Sequence, residues 1–471
     1  MFFNSVSYLF FLPLVVILYY LLPLRFRWSL LLIAGSVFYI SFIPAYIFVL
    51  FAIIIFDYIA AILLEKIQSV SKKQLLLAIS LLFNISVLVF FKYFIFLNEF
   101  LTRILHHYGH QNPLIFVQLI FPLGISFQIF QSAGYLLDVY YEKHKAERHL
   151  GIYSLFIMFF PLMIAGPIER FSSFGFQLRE KISLHYDNIA NGGRLILCGF
   201  FIKMAIADNL SVYVNQVYDA PETFNSLSIL ISVFLYSFQI YADFYGYSLI
   251  AIGSALLLGF KLMDNFNTPY FARSIMDFWG RWHISLTSWL RDYLYNPLSL
   301  RLRYWGIAGV VLAVIITFFI SGIWHGVGWT FLIWGLLHGL FLLIETGFNK
   351  FFKIKPKKNW TVGRVLNICK TFILVSFLWI FFRSENFEKA RLVFKSIAAN
   401  FSLKDKFHIN EMVLVLFAIF IFLDMILFNK RFDIWISKQP IWLRWITYAL
   451  LLFAILTLSG VDNTPFIYAR F

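Results

Sequence analysis

Long apolar stretches separated by short polar connections make up most of the chain. A membrane-spanning helix needs about 20 consecutive apolar residues. Nine long stretches contain no Asp, Glu, Lys or Arg, at 1–24, 28–56, 74–91, 104–137, 149–168, 223–242, 244–260, 304–344 and 445–461. Shorter apolar runs lie at 195–202, 365–382 and 412–423. When the longest stretches are divided, the pattern predicts about 11–13 membrane segments, some of them re-entrant or interfacial, in an all-α polytopic membrane protein.

The composition agrees with lipid as the solvent. Hydrophobic residues make up 61% of the 471 positions and charged residues only 13%, whereas a soluble domain carries about 25% charged residues. So few charges cannot cover the surface of a soluble protein. A chain of soluble domains, a disordered chain and an ordinary nucleic-acid-binding protein are therefore excluded.

The positive charge of the chain predicts an orientation. Lys and Arg outnumber Asp and Glu by 39 to 24, a net charge of +15, and such an excess is typical of cytoplasmic loops. Basic clusters follow the first, third and fifth predicted segments, at Arg25 and Arg27, at Lys66, Lys72 and Lys73, and at Lys143, Lys145 and Arg148. We therefore expect the N-terminus outside the cell. No linker or repeat divides the sequence, so residues 1–471 are predicted to form one membrane domain.

A polar segment at 261–303 interrupts the apolar pattern. Ser274 and Asp277 form a capping box, which predicts the start of a helix, and the helix should end before Pro297. At helical spacing its tryptophans share one face, which is typical of an amphipathic helix at the membrane interface. His283 lies beside this aromatic face. Two interpretations stay open for it: a histidine bonded to a backbone carbonyl, or a polar group turned toward a substrate tunnel.

Two histidines lie inside the 41-residue stretch 304–344, which has no Asp, Glu, Lys or Arg. An ionisable group at membrane depth is rare and usually faces an interior cavity. His325 lies between Gly322 and Gly326, so it is either a general base, which needs a neutral imidazole, or part of a helix-packing motif. Gly335 and Gly339 flank His338, and there we favour packing.

Other polar residues interrupt apolar runs. Asp243 should be paired, and an arginine of 273–291 is the expected structural partner, with a proton relay as the alternative. Pro and Gly break the runs at 122–131 and 160–171, as in re-entrant helices that line a cavity, and Glu169 and Arg170 would mark its mouth. Three histidines at 106, 107 and 110 form a polar loop, but no nearby Cys or carboxylate completes a metal site.

Several segments together resemble the membrane-bound O-acyltransferase family, most closely its bacterial alginate and peptidoglycan O-acetyltransferase subunits. These segments are PLGISFQIFQSAGYLLDVYY (122–141), AGPIERF (165–171), QIYADFYGYS (239–248), NFNTPY (265–270), DFWGRWHISLTSWLRDYLYNPL (277–298), GIWHGVGWTFLIWG (322–335) and PFIYARF (465–471). The resemblance begins near residue 122, and residues 1–121 match mainly in hydropathy. Gly280 departs from the family, which usually has Arg there. The usual signatures of P-loop ATPases, serine hydrolases and zinc proteases are missing.

The resemblance implies transfer of an acyl group from a cytoplasmic thioester, such as acetyl-coenzyme A, with no tightly bound cofactor. The family's two motif histidines correspond to His325 and His283. Four further side chains are expected to contact the donor: Arg281, Arg291, Trp282 and Trp289. The resemblance also implies a bacterial cytoplasmic membrane and a separate extracytoplasmic acetyltransferase, of the SGNH type, as partner. Membrane lipid is the other expected partner, and nucleic acid is not.

Two alternatives accompany this interpretation. One is the transfer of D-alanyl or another acyl group to a cell-envelope polymer. The other is a secondary transporter in which Asp243, His325 and His338 form a proton relay. Transporters of that kind commonly contain repeat-related broken helices, and no second copy of the broken segments is recognisable in the sequence.

Overall fold

Helices account for the regular structure in the computed structural model, which describes residues 1–113, 122, 124–164, 166–352, 361–399 and 409–459. None of these residues belongs to a β-strand, so the all-α prediction is confirmed. The fold divides into two units. The first consists of Met1–His185 with Leu258–Leu262, and the second of Tyr186–Leu257 with Met263–Phe471. The prediction of a single membrane domain stays a prediction.

The first unit contains six α-helices in the residues described. They are α1 (Val6–Leu21), α2 (Leu24–Ile40), α3 (Tyr46–Lys66), α4 (Val70–His107), α5 (Ile125–Tyr140) and α6 (Leu150–Met158). Short 3₁₀ and π turns follow α6 at Phe160–Leu162, Phe171–Gly175 and Gln177–Arg179. The runs in which Pro and Gly were expected to break helices are indeed interrupted: α5 begins after Gly124, whose φ is +79°, and α6 ends after nine residues.

The second unit contains the remaining helices that the structure describes. They are α7 (Tyr186–Phe200), α8 (Asp208–Asp219), α9 (Ser226–Leu257), α10 (Ile275–Trp279), α11 (Ile284–Leu290), α12 (Asn296–Arg301), α13 (Ile307–His325), α14 (Trp329–Phe351), α15 (Val362–Arg383), α16 (Phe387–Ala399), α17 (Glu411–Ile426), α18 (Phe432–Ser437) and α19 (Ile441–Leu458). A π-helical turn at Phe201–Ala207 joins α7 and α8 into one 34-residue span.

Eight helices of the described residues are long and apolar enough to cross a membrane. This is fewer than the number of segments predicted, because several apolar stretches form helices shorter than a full span. Val6–Leu21 has 16 residues, and Glu411–Ile426 also has 16. The chain is a multi-pass membrane protein.

Large apolar side chains remain exposed on the outer faces of these helices. Phe10 of α1 is 75% exposed, and Phe453 and Leu456 of α19 are 66% and 73% exposed. Monomeric soluble proteins rarely expose contiguous apolar surface of this kind. Lipid therefore covers these faces, as the composition indicated.

The two longest helical spans of the second unit pack through glycines. A Cβ atom on Gly192 of α7 would lie 2.8 Å from the carbonyl oxygen of Gly253 on α9, and one on Gly199 would lie 2.7 Å from that of Gly246. The two glycines on each helix are seven residues apart, so both pairs lie along one line of contact. This close approach of two backbones holds α9 in place. Phe244 and Ser248 of that helix help to form the site described below.

The segment predicted as one helix from Ser274 to Pro297 is broken. The predicted start is correct, because the Ser274 hydroxyl accepts a hydrogen bond from the backbone N–H of Asp277 at 3.0 Å. The helix, however, ends at Trp279 and resumes at Ile284, with His283 between them in the left-handed conformation (φ 43°, ψ 54°). Pro297 does not end a helix. It lies at the start of α12, directly after a π-helical turn at Arg291–Tyr295 that continues into this helix.

Backbone pairing with the non-helical segment 265–267 accompanies the break. The backbone N–H of Asn267 donates to the carbonyl of Arg281, and the N–H of Ile284 donates to the carbonyl of Asn265, both at 2.9 Å. These bonds take up backbone groups that a continuous helix would have used internally. The prediction of one continuous amphipathic helix is therefore wrong for this segment.

Candidate active site

His325 is the last residue of α13, at a tight turn into α14. Gly328 in this turn has a φ of +141°, which only glycine adopts readily. The turn brings the two helices into close contact, since a Cβ atom on Gly322 would lie 2.6 Å from the carbonyl oxygen of Phe331. The glycines around His325 thus do serve helix packing. The packing and functional interpretations of this motif are therefore compatible.

The His325 ring is held in one orientation. Its Nδ1 lies 2.7 Å from the carbonyl oxygen of Ser321, one helical turn earlier. A carbonyl oxygen only accepts hydrogen bonds, so Nδ1 must carry the proton and Nε2 is the acceptor nitrogen. The ring is 3% exposed and packs against Trp324, Trp334 and Phe382, with centroid distances of 4.8, 4.7 and 5.5 Å. His325 therefore presents a basic nitrogen inside an aromatic enclosure.

His283 is oriented by a different partner, the amide of Asn265. Its Nδ1 lies 3.0 Å from Asn265 Oδ1, which also accepts a 2.8 Å hydrogen bond from the Ser285 hydroxyl. The other end of the same amide, Nδ2, donates to the Ser248 hydroxyl at 3.2 Å. These contacts assign the amide orientation. His283 Nδ1 then carries the proton, and Nε2 is again the acceptor nitrogen.

The structure brings His283 and His325 to the same aromatic group. The Trp324 ring contacts both, with centroid distances of 6.3 Å to His283 and 4.8 Å to His325. Burial, and then the neighbouring His325, lowers the pKa of His283 well below 6.5. His283 is therefore neutral near pH 7. The tunnel-facing interpretation of His283 stays a prediction. The alternative, a hydrogen bond to a backbone carbonyl, is wrong, because Nδ1 binds the side-chain oxygen of Asn265 instead.

His338, in contrast, lies in an aromatic box. Its ring stacks parallel to Phe278 and Phe318 and meets Trp279 and Trp334 edge-on at 5.0 and 5.1 Å. Within the described residues neither ring nitrogen has a hydrogen-bond partner. A proton relay needs hydrogen-bonded neighbours on both sides, so this surrounding supports packing as the role of His338.

Arg281 and Trp282, two of the expected donor contacts, are engaged inside the protein. The Arg281 guanidinium donates to Asp277 at 2.8 Å, to the carbonyl of Asn267 at 3.1 Å and to Asn429 at 3.0 Å. Trp282 is completely buried in a group of aromatic rings. Both residues fix the break that positions His283, and their contact with a donor stays a prediction.

Arg291 and Trp289 differ in exposure. The Arg291 side chain is 61% exposed and its Nε lies 2.9 Å from the adjacent Asp292. Trp289 is 9% exposed and packs on Tyr293 at 5.1 Å. Of the two arginines expected to contact the donor, Arg291 is the accessible one.

Asp243 pairs with a lysine, so the prediction of an arginine partner is wrong. The Nζ of Lys203 lies 2.6 Å from Asp243 Oδ1 and 2.6 Å from Asp208 Oδ1. Lys203 is 1% exposed, in the π-helical turn before α8. Sequence reasoning missed Lys203, although a single lysine in an apolar run is the same signal that drew attention to Asp243. An ammonium with two carboxylate partners is held in place, which supports a structural role, while the proton relay stays a prediction.

Glu169 and Arg170 belong to the first unit. Glu169 is 4% exposed and accepts a 3.3 Å hydrogen bond from the Ser173 hydroxyl. The carbonyl of Arg170 accepts from the N–H groups of Ser173 and Phe174 and so begins the π turn. Their proposed position at a cavity mouth stays a prediction.

A polar cluster in the first unit was also missed. Asp57 of α3 accepts hydrogen bonds from Asn84 of α4, at 2.8 Å, and from Ser132 of α5, whose hydroxyl also contacts Tyr153 at 2.6 Å. All four side chains are buried. The signal was available, because Asp57 directly follows the apolar stretch 28–56. Among the described residues no group of His, Cys, Asp and Glu is arranged to hold a metal ion.

Comparisons with known proteins identify the family of this chain. The sequence model of the membrane-bound O-acyltransferase family matches residues 34–383, a range that contains both oriented histidines. The probable alginate O-acetylase AlgI of Azotobacter vinelandii is 36% identical over 86% of this chain and 79% of its own length. The peptidoglycan O-acetyltransferase of Helicobacter pylori is 36% identical, over 78% and 73%. The teichoic acid D-alanyltransferase of Bacillus subtilis is 29% identical, over 62% and 75%. The resemblance drawn from the sequence motifs is confirmed.

Proposed function

Because the chain belongs to the membrane-bound O-acyltransferase family and is an O-acyltransferase, we propose that it moves an acetyl group from a cytoplasmic thioester toward an exported polysaccharide or peptidoglycan. The relatives named for O-acetylation of alginate and of peptidoglycan support this class of acceptor. The observation that carries the chemistry is the fixed tautomer of His325, whose Nδ1 proton is bound to the Ser321 carbonyl at 2.7 Å.

In this proposal His325 is the general base. Its Nε2 takes the proton of the acceptor hydroxyl as that oxygen attacks the thioester carbonyl. A C–O bond forms, the C–S bond breaks, and the proton passes from the imidazolium to the departing thiolate. The C-terminal end of α13 carries partial negative charge, which stabilises the transient imidazolium. His283, neutral and fixed by Asn265, supplies a second acceptor nitrogen without holding a charge.

The proposed donor is acetyl-coenzyme A, which needs phosphate contacts at the cytoplasmic side. Arg291 is the better placed of the two arginines, because its guanidinium is largely exposed while that of Arg281 is bound to the chain itself. A guanidinium forms strong, charge-assisted hydrogen bonds to phosphate. In this arrangement Trp289 lines the donor path, and Arg281 and Trp282 hold the broken helix in position.

The proposed setting is the cytoplasmic membrane of a bacterium. There the chain would receive the acetyl group from the cytoplasmic donor and pass it to a separate extracytoplasmic acetyltransferase of the SGNH type. The bacterial sources of the relatives support this setting. The transfer needs positioning, a base and stabilisation of the oxyanion, so no tightly bound cofactor is included in the proposal.

The test compares two histidine variants in purified protein reconstituted in lipid. With labelled acetyl-coenzyme A, His325→Ala should lower thioester turnover by about 10²–10⁴-fold, the contribution of a positioned general base. His338→Phe is the matched control, because it keeps an aromatic ring in the box and should retain turnover. Near wild-type turnover by His325→Ala, with normal elution and thermal midpoint, would reject the assignment.

A second acyl donor distinguishes the alternative. The similarity to the teichoic acid D-alanyltransferase favours D-alanyl transfer as the second candidate. The same preparation is therefore offered a D-alanyl thioester beside acetyl-coenzyme A. Turnover of the D-alanyl thioester alone, dependent on His325, would replace acetyl by D-alanyl while leaving the role of His325 intact.

A further inference from the structure

A cavity of about 300 Å³ lies in the first unit, next to the first turn of α2. Four cationic side chains line it, namely Arg25, Arg27, Arg179 and Lys181. Glu180 is the one carboxylate among the described residues that line the cavity. All residues that line it belong to the first unit, and the residues of the histidine site belong to the second.

Arg27 is held in place by groups that do not neutralise its charge. Its Nη1 donates to the carbonyl of Ile182 at 2.6 Å and its Nε to the carbonyl of Leu22 at 3.1 Å. The guanidinium also lies 4.8 Å from the centre of the Tyr19 ring. Carbonyl oxygens and an aromatic face orient the cation but leave it positive. The Arg27 guanidinium is therefore a positive charge held at a fixed position beside the cavity.

The other cations add a surplus of positive charge. Arg179 forms an ion pair with the buried Glu147. Arg25 and Lys181 are exposed, and neither forms an ion pair within the part of the chain that the structure describes. The four cationic side chains are thus accompanied by only two carboxylates, Glu180 in the lining and Glu147 in the ion pair. A ligand with at least one negative charge would reduce this excess of positive charge.

The remaining lining is apolar and aromatic. Trp28, Leu24 and Leu31 of α2 face the cavity together with Phe260. Leu24 is itself 44% exposed, on a helix whose outer face meets lipid. Trp and Tyr are enriched where a membrane helix crosses the headgroup region. An amphiphile with an anionic head and an apolar tail matches both the cationic and the apolar parts of the lining.

We propose that this cavity binds the phosphate headgroup of an anionic phospholipid, with Arg25, Arg27 and Lys181 around the phosphate and the first acyl carbons along α2. Basic pockets beside membrane helices on the cytoplasmic side are suited to such headgroups. The positive residues that predict the orientation of the chain place Arg25 and Arg27 on that side. A soluble phosphate shares the charge but gains nothing from the apolar side of the cavity.

The test measures lipid binding by native mass spectrometry of the purified full chain. Phosphatidylglycerol and phosphatidylcholine with the same acyl chains are compared on wild type, on Arg25→Gln/Lys181→Gln, and on Lys72→Gln/Lys145→Gln. Arg27 is left unchanged because its bonds to two carbonyls help to hold the fold. The control pair removes two exposed lysines of the same predicted side that do not line the cavity.

Wild type and the control pair should bind phosphatidylglycerol more tightly than phosphatidylcholine. The cavity pair should lose about 30-fold in affinity for phosphatidylglycerol, since each basic residue contributes about fivefold near an anionic surface. Equal loss in both double variants, or none in the cavity pair, would overturn the proposal. Glycerol phosphate is added in a further arm. If it displaced phosphatidylglycerol at equal concentration, the site would be one for soluble phosphate and the lipid assignment would be wrong.

Discussion

Replacing Gly199 by alanine tests how the second unit holds α9 and, with it, two residues of the candidate site. A Cβ atom at position 199 would lie 2.7 Å from the carbonyl oxygen of Gly246 and 2.8 Å from a side-chain carbon of Ile250. Ordinary van der Waals contacts of a Cβ atom are 3.4–4 Å. The nearest obstacle is backbone, so the two helices must move apart by several tenths of an ångström.

The size of the effect follows from two opposing contributions. Overpacking by a methyl group costs about 1–3 kcal/mol. Alanine regains about 0.5–1 kcal/mol, because glycine is unfavourable in a helix interior. The expected net loss in the free energy of unfolding is about 0–2.5 kcal/mol. Thioester turnover should fall as well, because α9 carries two residues of the site. The Phe244 ring lies 4.7 Å from the His283 ring, centroid to centroid, and the Ser248 hydroxyl accepts a hydrogen bond from Asn265.

Gly193→Ala is the matched control for this prediction. It makes the same substitution in the same helix, but nothing lies within 4 Å of the added carbon. Its stability should rise by about 0.5–1 kcal/mol, through the reduced freedom of the unfolded chain. The assay is the thermal unfolding midpoint in one detergent, read by tryptophan fluorescence. The argument for close packing fails if Gly199→Ala melts at or above Gly193→Ala.

Three further predictions concern the buried polar groups. Asn265→Leu should lower turnover tenfold or more, because His283 and Ser285 lose their common acceptor, whereas Asn265→Asp, which keeps that oxygen, should restore much of the rate in the same turnover assay. Lys203→Met should cost about 3–5 kcal/mol in thermal denaturation, because the two carboxylates lose the ammonium between them, and adding Asp243→Asn should recover part of the loss. The pKa of His283 is lowered by burial, so the unfolded chain binds a proton below pH 6.5 that the folded chain does not. The free energy of unfolding is therefore highest above pH 6.5 and should fall by up to about 1.4 kcal/mol per pH unit below it. The fall should be less steep in His283→Asn. Identical pH profiles for wild type and this variant would contradict the reasoning.

The features predicted correctly from the sequence depend on neighbours in the chain. The capping box at Ser274 works within one turn, and the helix-packing motif around His325 depends on Gly322, three residues before it. His325 was identifiable because an ionisable residue is rare within an apolar stretch. The same rule would have found Asp57 and Lys203. Both residues interrupt apolar runs in the same way as His325 and Asp243.

The features predicted wrongly depend on contacts between distant parts of the chain. The amphipathic spacing of 275–296 is compatible with one helix, and only the pairing of Asn265–Asn267 with the residues around His283 breaks it. The partner of Asp243 likewise lies 40 residues earlier in the sequence, on a different helical span. Spacing along one helix does not report on such partners.

The two histidines of the site are therefore fixed by different means, and this decides how their roles can be separated. The tautomer of His325 is set within its own helix, so replacing its side chain removes the base and leaves the backbone of the turn intact. His283 has a φ of 43°, a conformation that β-branched residues avoid and that asparagine tolerates. An alanine or valine at 283 would combine a chemical change with backbone strain. Asparagine at 283, or a change at Asn265, alters the chemistry with less backbone strain, and only those variants can show whether the second histidine takes part in acyl transfer.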